Sequence, residues 1–182
     1  MYTVIIRQVR FPRNILACMV GASLSLAGAI MQGMMRNPMA SPSVLGVTTG
    51  ASTATYLMYI FFPASLSLVP MGAFAGALVT TFLIFVFAWK GGLNPTRFIL
   101  SGVALSSVLT AVNNILIIRY PNVLEGLSGF MVGGLSARSW PQVRMVTPYF
   151  LVGTVLALLY ANKLNVIMMG DELATSLGVD VD

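Results

Sequence analysis

Charged residues are sparse along this chain, and the intervals between them set its architecture. Asn14 to Met35, Asn37 to Trp89, Phe98 to Ile118 and Met145 to Asn162 carry no charge at all. A hydrocarbon core about 30 Å thick takes about 20 apolar residues per helix. The second interval therefore holds two spans, divided by a turn at Pro63 and Pro70. The pattern predicts five membrane helices, near 14–35, 44–61, 66–89, 96–118 and 145–162, in an all-α polytopic transmembrane bundle. Strands of a membrane barrel would alternate in polarity over segments of about 10 residues, and no such period recurs.

Composition agrees with the pattern. Of 182 residues, 57% are hydrophobic and 8% are charged, against roughly 25% charged in an ordinary soluble domain. The formal charge is +5, but the basic residues sit at predicted helix ends rather than on one face. That placement follows from the exclusion of charge from hydrocarbon and gives no reason to expect a nucleic-acid partner. Arg7, Arg10 and Arg13 precede no cleavage-like site, so the first apolar stretch reads as a span rather than a signal peptide. Cys18 is the single cysteine and reads as an inert thiol buried in the first span, with no disulfide within the chain.

Histidine is absent, and the acidic residues are Glu125, Asp171, Glu172, Asp180 and Asp182. Transition-metal sites need imidazole, thiolate or grouped carboxylates, so no metal site or other cofactor is expected here. Nucleophile–histidine pairs are impossible and no phosphate-cradling Gly-Lys-Ser/Thr loop occurs, so the chain reads as no enzyme.

Small residues recur four apart at Gly46 and Gly50, Gly72 and Gly76, and Gly129 and Gly133. In lipid this spacing lets helix backbones approach closely, and packing is the expected role. Gln32, Asn113 and Asn114 are polar side chains within spans; each calls for a partner helix or a wet passage. Between the fourth and fifth spans, Val123 to Leu135 is apolar but too short to cross, which fits an interfacial helix or a re-entrant turn. No sixth span follows Asn162, so the sequence is expected to be one incomplete transmembrane domain, 1–182, of a larger protein.

Three segments place helix breakers and polar residues where a plain hairpin would not need them. In Val9-Arg10-Phe11-Pro12-Arg13, Pro12 suits the first turn of a helix. Arg10 and Arg13 would then face the positive end of the helix dipole, which calls for an anion there, either acidic groups of a partner or lipid phosphates. In Gln32 to Pro42, Pro38 follows Asn37 and Pro42 follows Ser41, which forces an extended turn. Asn94-Pro95-Thr96 is a second such turn, on the same membrane side by span parity. Both are either simple connectors or a constriction at one end of a pore. In Gly170 to Val179, Asp171 and Glu172 favour a helix start, Leu173 and Leu177 share a face, and Gly178 suits the stop. This short surface helix needs lipid or a partner protein against its apolar side.

These segments carry a resemblance. Arg10-Phe11-Pro12-Arg13, Val20-Gly21-Ala22, Ala27-Gly28-Ala29, Met31-Gln32, Arg36-Asn37-Pro38, Ser41-Pro42 and Leu45-Gly46-Val47 resemble the iron-siderophore, heme and cobalamin permease family of ABC importers (FecCD type). Ser101-Gly102-Val103-Ala104-Leu105, Met131-Val132-Gly133-Gly134 and Gly170 to Val179 continue the likeness in the same order. Met39 stands where leucine is usual, a change that conserves volume.

The resemblance implies a multi-pass subunit of a bacterial cytoplasmic (inner) membrane with about ten spans, matched here from near its N-terminus to its middle. It implies a second permease subunit, identical or not, a cytoplasmic ATPase that hydrolyses the ATP, and an extracytoplasmic substrate-binding protein. Arg10 and Arg13 would dock the binding protein. Asn37, Pro38 and Met39 with Asn94, Pro95 and Thr96 would line the cytoplasmic gate. Gly170, Asp171, Glu172, Leu173, Ala174, Leu177 and Gly178 would form the coupling helix that enters the ATPase. Ferric siderophore is the first expectation for the cargo, by family frequency.

With the coupling segment inside, parity puts Arg36, Lys90, Arg97 and Lys163 inside and six arginines outside, against the positive-inside rule. A docking surface for an acidic partner supplies a reason for external arginines. Two alternatives stand beside the importer. One is an ion-coupled secondary transporter, which would usually carry ionisable residues within its spans. The other is an inactive fragment of a permease.

Overall fold

The computed structural model describes residues 2–43, 45–89, 94–124, 127, 133–136 and 138–169, and among them every regular element is helical. The described residues fall into two compact units, one made of those up to 40 and from 133 onward, the other of those between 41 and 132.

In the first unit, α1 (Tyr2–Ile5), a π-helical turn (Ile6–Arg10) and α2 (Phe11–Met35) form one uninterrupted helix. The sequence pattern starts this helix at 14 with Pro12 in its opening turn; the structure starts it a dozen residues earlier. The reason is local. In an ordinary α-helix the Pro12 ring would collide with the carbonyl of Gln8, four residues back. Widening one turn removes the collision: the Phe11 N–H reaches back to the Ile6 carbonyl, and Arg10 stays helical at φ −71°, ψ −45°. The membrane-competent stretch therefore runs Thr3–Met35.

The next donor in that widened register would be Pro12, which has no N–H, so it leaves the Arg7 carbonyl without a helical partner. Trp140 answers it, donating its indole N–H to the Arg7 oxygen at 3.0 Å. Its ring lies 6.2 Å from that of Phe11. Trp140 opens α7 (Trp140–Met168), whose start is fixed by the reciprocal Ser139–Gln142 capping box and by Pro141 in its first turn. At the far ends, Arg36 donates to the Ile167 carbonyl at 2.9 Å, and the Met168 sulfur sits 3.0 Å from where a Cβ on Gly33 would be. N-terminal ends meet N-terminal ends and C-terminal ends meet C-terminal ends, so α2 and α7 run parallel.

The second unit holds α3 (Val47–Phe61), a 3₁₀ segment (Pro63–Leu68), α4 (Val69–Ala88), α5 (Pro95–Arg119) and the single turn α6 (Pro121–Leu124). Glycines set its packing at the first two of the predicted pairs; of the third, Gly129 lies outside the described residues and Gly133 has nothing within 4 Å. A Cβ on Gly50 would strike Thr80, and one on Gly76 would strike Ala54. One on Gly72 would come within 2.9 Å of Met58 Cγ. The order 50, 54, 58 against 80, 76, 72 is an antiparallel seam of close backbone approach between α3 and α4. Gly46 caps α3 at φ +75° with Ser106 of α5 where a side chain would stand, and Gly102 of α5 lies against the Leu45 backbone. Two short motifs far apart in sequence, Leu45-Gly46 and Gly102, thereby meet. A small apolar cluster forms around Tyr56 and Leu127, with Tyr59, Ile60, Leu116 and Ile117 against it.

Hydroxyls in these helices bond to their own backbone. Thr53 donates to Thr49 O at 2.9 Å, Thr55 to Ala51 O at 2.9 Å, Thr81 to Ala77 O at 2.8 Å, Thr110 to Ser106 O at 2.7 Å and Thr147 to Val143 O at 2.7 Å. Where no water is present, such bonds remove the cost of an unpaired hydroxyl.

Four stretches are long and apolar enough to cross a membrane: Thr3–Met35, α4, α5 and α7. Their outer faces are apolar and uncovered, with Leu159 70% and Ile118 80% exposed, as expected where lipid is the solvent. The chain is a multi-pass integral membrane protein. α3 has 15 residues, about 22 Å of rise, short of the full hydrocarbon thickness. It is expected as a span from the sequence, yet it falls outside the four stretches that are long and apolar enough to cross.

Helix ends differ from the sequence expectation where hydrogen bonding outlasts the apolar pattern. α7 reaches past 145–162 to take in Gln142, Arg144, Lys163 and Asn165. Cys18 is exposed on α2 rather than buried. The element expected over 123–135 starts as α6, and most of it lies outside the described residues. So does the whole segment from Gly170 to Val179.

Candidate functional site

The Asn37 turn is built by the end of α2. Arg36 takes the left-handed conformation, φ 47° and ψ 37°. Its N–H donates to Gly33 O and that of Asn37 to Gln32 O, both at 3.2 Å, the paired bonds that close a helix at a left-handed residue. The Asn37 side chain then accepts from the Met39 N–H at 2.9 Å, a local turn that Pro38 reinforces. Met39 projects outward at 83% exposure. The extended turn predicted from two prolines is present, and its residues are held by the backbone rather than loose.

Asn94 has a comparable architectural task in the second unit. Its side-chain oxygen accepts from the N–H groups of Thr96 at 3.0 Å and Arg97 at 3.4 Å, and Pro95 occupies the first helical position. Asn-Pro-Thr is thus an N-cap for α5. Asn37–Met39 and Asn94–Thr96 belong to different units.

Arg10 and Arg13 are exposed on the first helix. They do not stand at a helix N-terminus, as the sequence suggests: the helix extends back to Tyr2, so the dipole end lies more than two turns away and its field falls off within a turn. Their exposure, together with that of Arg7, which shares the π turn with Arg10, is what remains for any docking role.

Between α2 and α7 lies a cavity of about 670 Å³. Leu26, Ala29, Ile30 and Leu158 line its apolar length, and Gln32, Arg36, Asn37 and Asn165 its polar end. Gln32 therefore borders a cavity rather than a packed helix, whereas Asn113 of α5 is buried, with its side-chain oxygen lacking a partner among the described residues. No cluster of metal-ligating side chains occurs among the described residues.

Sequence reasoning missed two contacts, Trp140 with Arg7 and Arg36 with Ile167. A signal existed for the second: Arg36 stands directly after a helix, before Asn-Pro, where glycine or asparagine would fit the backbone better.

The sequence profile of the FecCD transport family matches residues 1–182. The chain is similar to the cobalamin import system permease protein BtuC of Halobacterium salinarum, 39% identical over 98% of this chain and 49% of that protein. It is 37% identical to the Fe(3+)-citrate import system permease protein YfmE of Bacillus subtilis, over 96% of this chain and 53% of the other. A solved metal-chelate type ABC transporter in an inward-facing conformation superposes with a TM-score of 0.84 at 29% identity, over 98% of this chain and 57% of its own. The chain spans about half the length of the curated relatives it matches.

Proposed function

This chain belongs to the FecCD transport family, and from that premise we propose that it forms part of the permease subunit of a binding-protein-dependent ABC importer carrying an iron chelate, heme or cobalamin. The observation that carries the reading is the fold likeness over 98% of the chain to a metal-chelate type transporter. Relatives named as cobalamin and ferric-citrate import permeases support the cargo class. The sequence adds a chemical argument: a chain with no histidine and one cysteine offers few ligands to a bare transition metal, which suits passage of an intact chelate.

In this reading Arg10 and Arg13 face the extracytoplasmic binding protein, Asn37–Met39 and Asn94–Thr96 form the cytoplasmic gate, and Asp171 to Gly178 dock on a separate ATPase. A second permease subunit completes the pathway. The cap geometry of Asn94 and the turn geometry of Asn37 suit a gate, because each presents a short, hydrogen-bonded corner rather than a flexible loop.

The test is transport by the complete permease. Assembled with its ATPase and binding protein in vesicles, it should accumulate at least one of radioiron-labelled siderophore, ferric citrate, heme or labelled cobalamin, and do so only with ATP. Accumulation driven by a proton or sodium gradient without ATP would overturn the proposal in favour of an ion-coupled carrier.

A further inference from the structure

Arg36 is the one non-glycine residue at positive φ among the described residues. A glycine there would sit in the left-handed region without a Cβ penalty, so the arginine side chain is kept at some cost to the backbone. What the side chain does is visible at its tip. Its Nη2 donates to the carbonyl of Ile167 at 2.9 Å, in the last turn of α7, where the Met169 N–H is also directed and a cation is favoured by the dipole.

We propose that Arg36 is a positioning residue that ties the Asn37–Met39 turn to the C-terminal end of α7, so that displacement of that end moves the turn with it. The connection is continuous. From Ile167 O the link passes to the guanidinium, then to the Arg36 backbone, which is pinned to Gly33 O. From there it passes to Asn37, pinned to Gln32 O, and through its side chain to the Met39 N–H. Beside it, Met168 packs on Gly33, where a Cβ would come within 3.0 Å of the sulfur. The two contacts together resist both separation and rotation of the paired ends.

The consequence depends on the functional reading above. α7 ends at Met168, and the segment read as the ATPase-coupling helix begins two residues later. The turn read as part of the gate begins one residue after Arg36. The arginine thereby joins the start of one to the start of the other, and ATP-driven motion of the coupling segment has a path to the gate that does not run along the intervening four helices.

Arg36→Gly separates this role from a structural one, since it relieves the left-handed backbone while removing the arm. In the full-length permease with Cys18→Ser, spin labels at Met39→Cys and Asn165→Cys report the distance between the turn and α7 by pulsed electron paramagnetic resonance. The complex with its ATPase is placed in phosphatidylethanolamine–phosphatidylglycerol vesicles, with and without ATP. With Arg36 present, one narrow distribution is expected in both nucleotide states. Arg36→Gly should broaden it, and Arg36→Lys, which keeps a donor and a charge, should restore part of the narrowness. A distribution as narrow in Arg36→Gly as in the parent overturns the tie. A parent permease that binds no ATPase overturns instead the functional reading on which the tie's purpose rests.

Discussion

Trp140 fills the carbonyl oxygen of Arg7 that Pro12 leaves without a helical donor, at 3.0 Å. The three residues form one unit: the proline creates the vacancy and the tryptophan, 133 positions after Arg7, closes it. Trp140→Phe should keep the ring against Phe11 yet lose the bond, at a cost of about 1 kcal/mol. In a Pro12→Ala background the helix regains its own donor, and the same substitution should become close to neutral. A double-mutant cycle on thermal unfolding in detergent checks this; additive effects would show that the bond and the proline are independent.

Glycines at the α3–α4 seam and on the open face of α2 should respond oppositely to alanine. Gly50→Ala meets Thr80 and the Gly76 carbonyl, and overpacking of this kind costs about 1–3 kcal/mol. Gly28→Ala meets nothing within 4 Å and should stabilise α2 by about 0.5–1 kcal/mol through helix propensity. Unfolding of the 182-residue chain in micelles compares the two. In a longer permease, a destabilising Gly28→Ala would reveal that another helix covers that face.

Asn94 offers a way to part capping from gating. Asn94→Ala should cost about 1 kcal/mol of stability, whereas Asn94→Ser keeps an oxygen for the Thr96 N–H and should cost a few tenths. If the residue serves the gate as well, uptake by the full transporter should fall in both variants, regardless of stability. Uptake that tracks stability alone would leave it as a cap.

Reversing two charges tests docking. Arg10→Glu with Arg13→Glu should slow association of the binding protein while leaving the helix intact, because both side chains are exposed. Attraction of this kind is screened over about 8 Å at physiological salt, so parent association should also slow as salt rises. Stopped-flow association at low salt decides it; equal rates for parent and variant would remove the docking role.

Leu173 and Leu177, four apart and C-terminal to α7, are the apolar pair of the segment read as coupling. Leu173→Ala with Leu177→Ala should release the ATPase, since truncating a packed leucine costs about 2–5 kcal/mol. Pull-down of the ATPase on the double variant is the measurement, and full retention would show that the pair faces lipid instead.

Much of the fold was legible because lipid imposes a simple rule on sequence. Charge-free runs gave the helices, and glycines four apart marked where backbones approach closely at Gly50, Gly72 and Gly76, since both depend on local composition; which helix each glycine meets was not written there. The first helix was misread because proline at a helix start and proline after a π turn look alike in sequence; the difference is whether a distant indole is available for the stranded carbonyl. The dipole argument for Arg10 and Arg13 failed with it. Of the candidate site, the Asn37 and Asn94 turns were readable from Asn-Pro, a local signal. Of the tie from Arg36 to Ile167 only one end was readable, an arginine where glycine or asparagine would fit the backbone better; its partner is a backbone carbonyl 131 positions away, and a carbonyl carries no sequence signature.

The hydroxyls of the second unit have a mechanical consequence. Thr53, Thr55, Thr81 and Thr110 each spend their one hydrogen within their own helix, so none of them stitches a helix to its neighbour. Across the α3–α4 seam, Gly50 faces the Thr80 side chain, Gly72 the Met58 side chain and Gly76 the Ala54 methyl. A slide of α3 along α4 would leave these hydroxyl bonds unbroken within their own helices, but it would have to lift Thr80 and Met58 out of the gaps that the glycines leave. The seam acts as a tooth in a notch: its register is held by shape, and none of these four hydroxyl bonds has to break for that register to change.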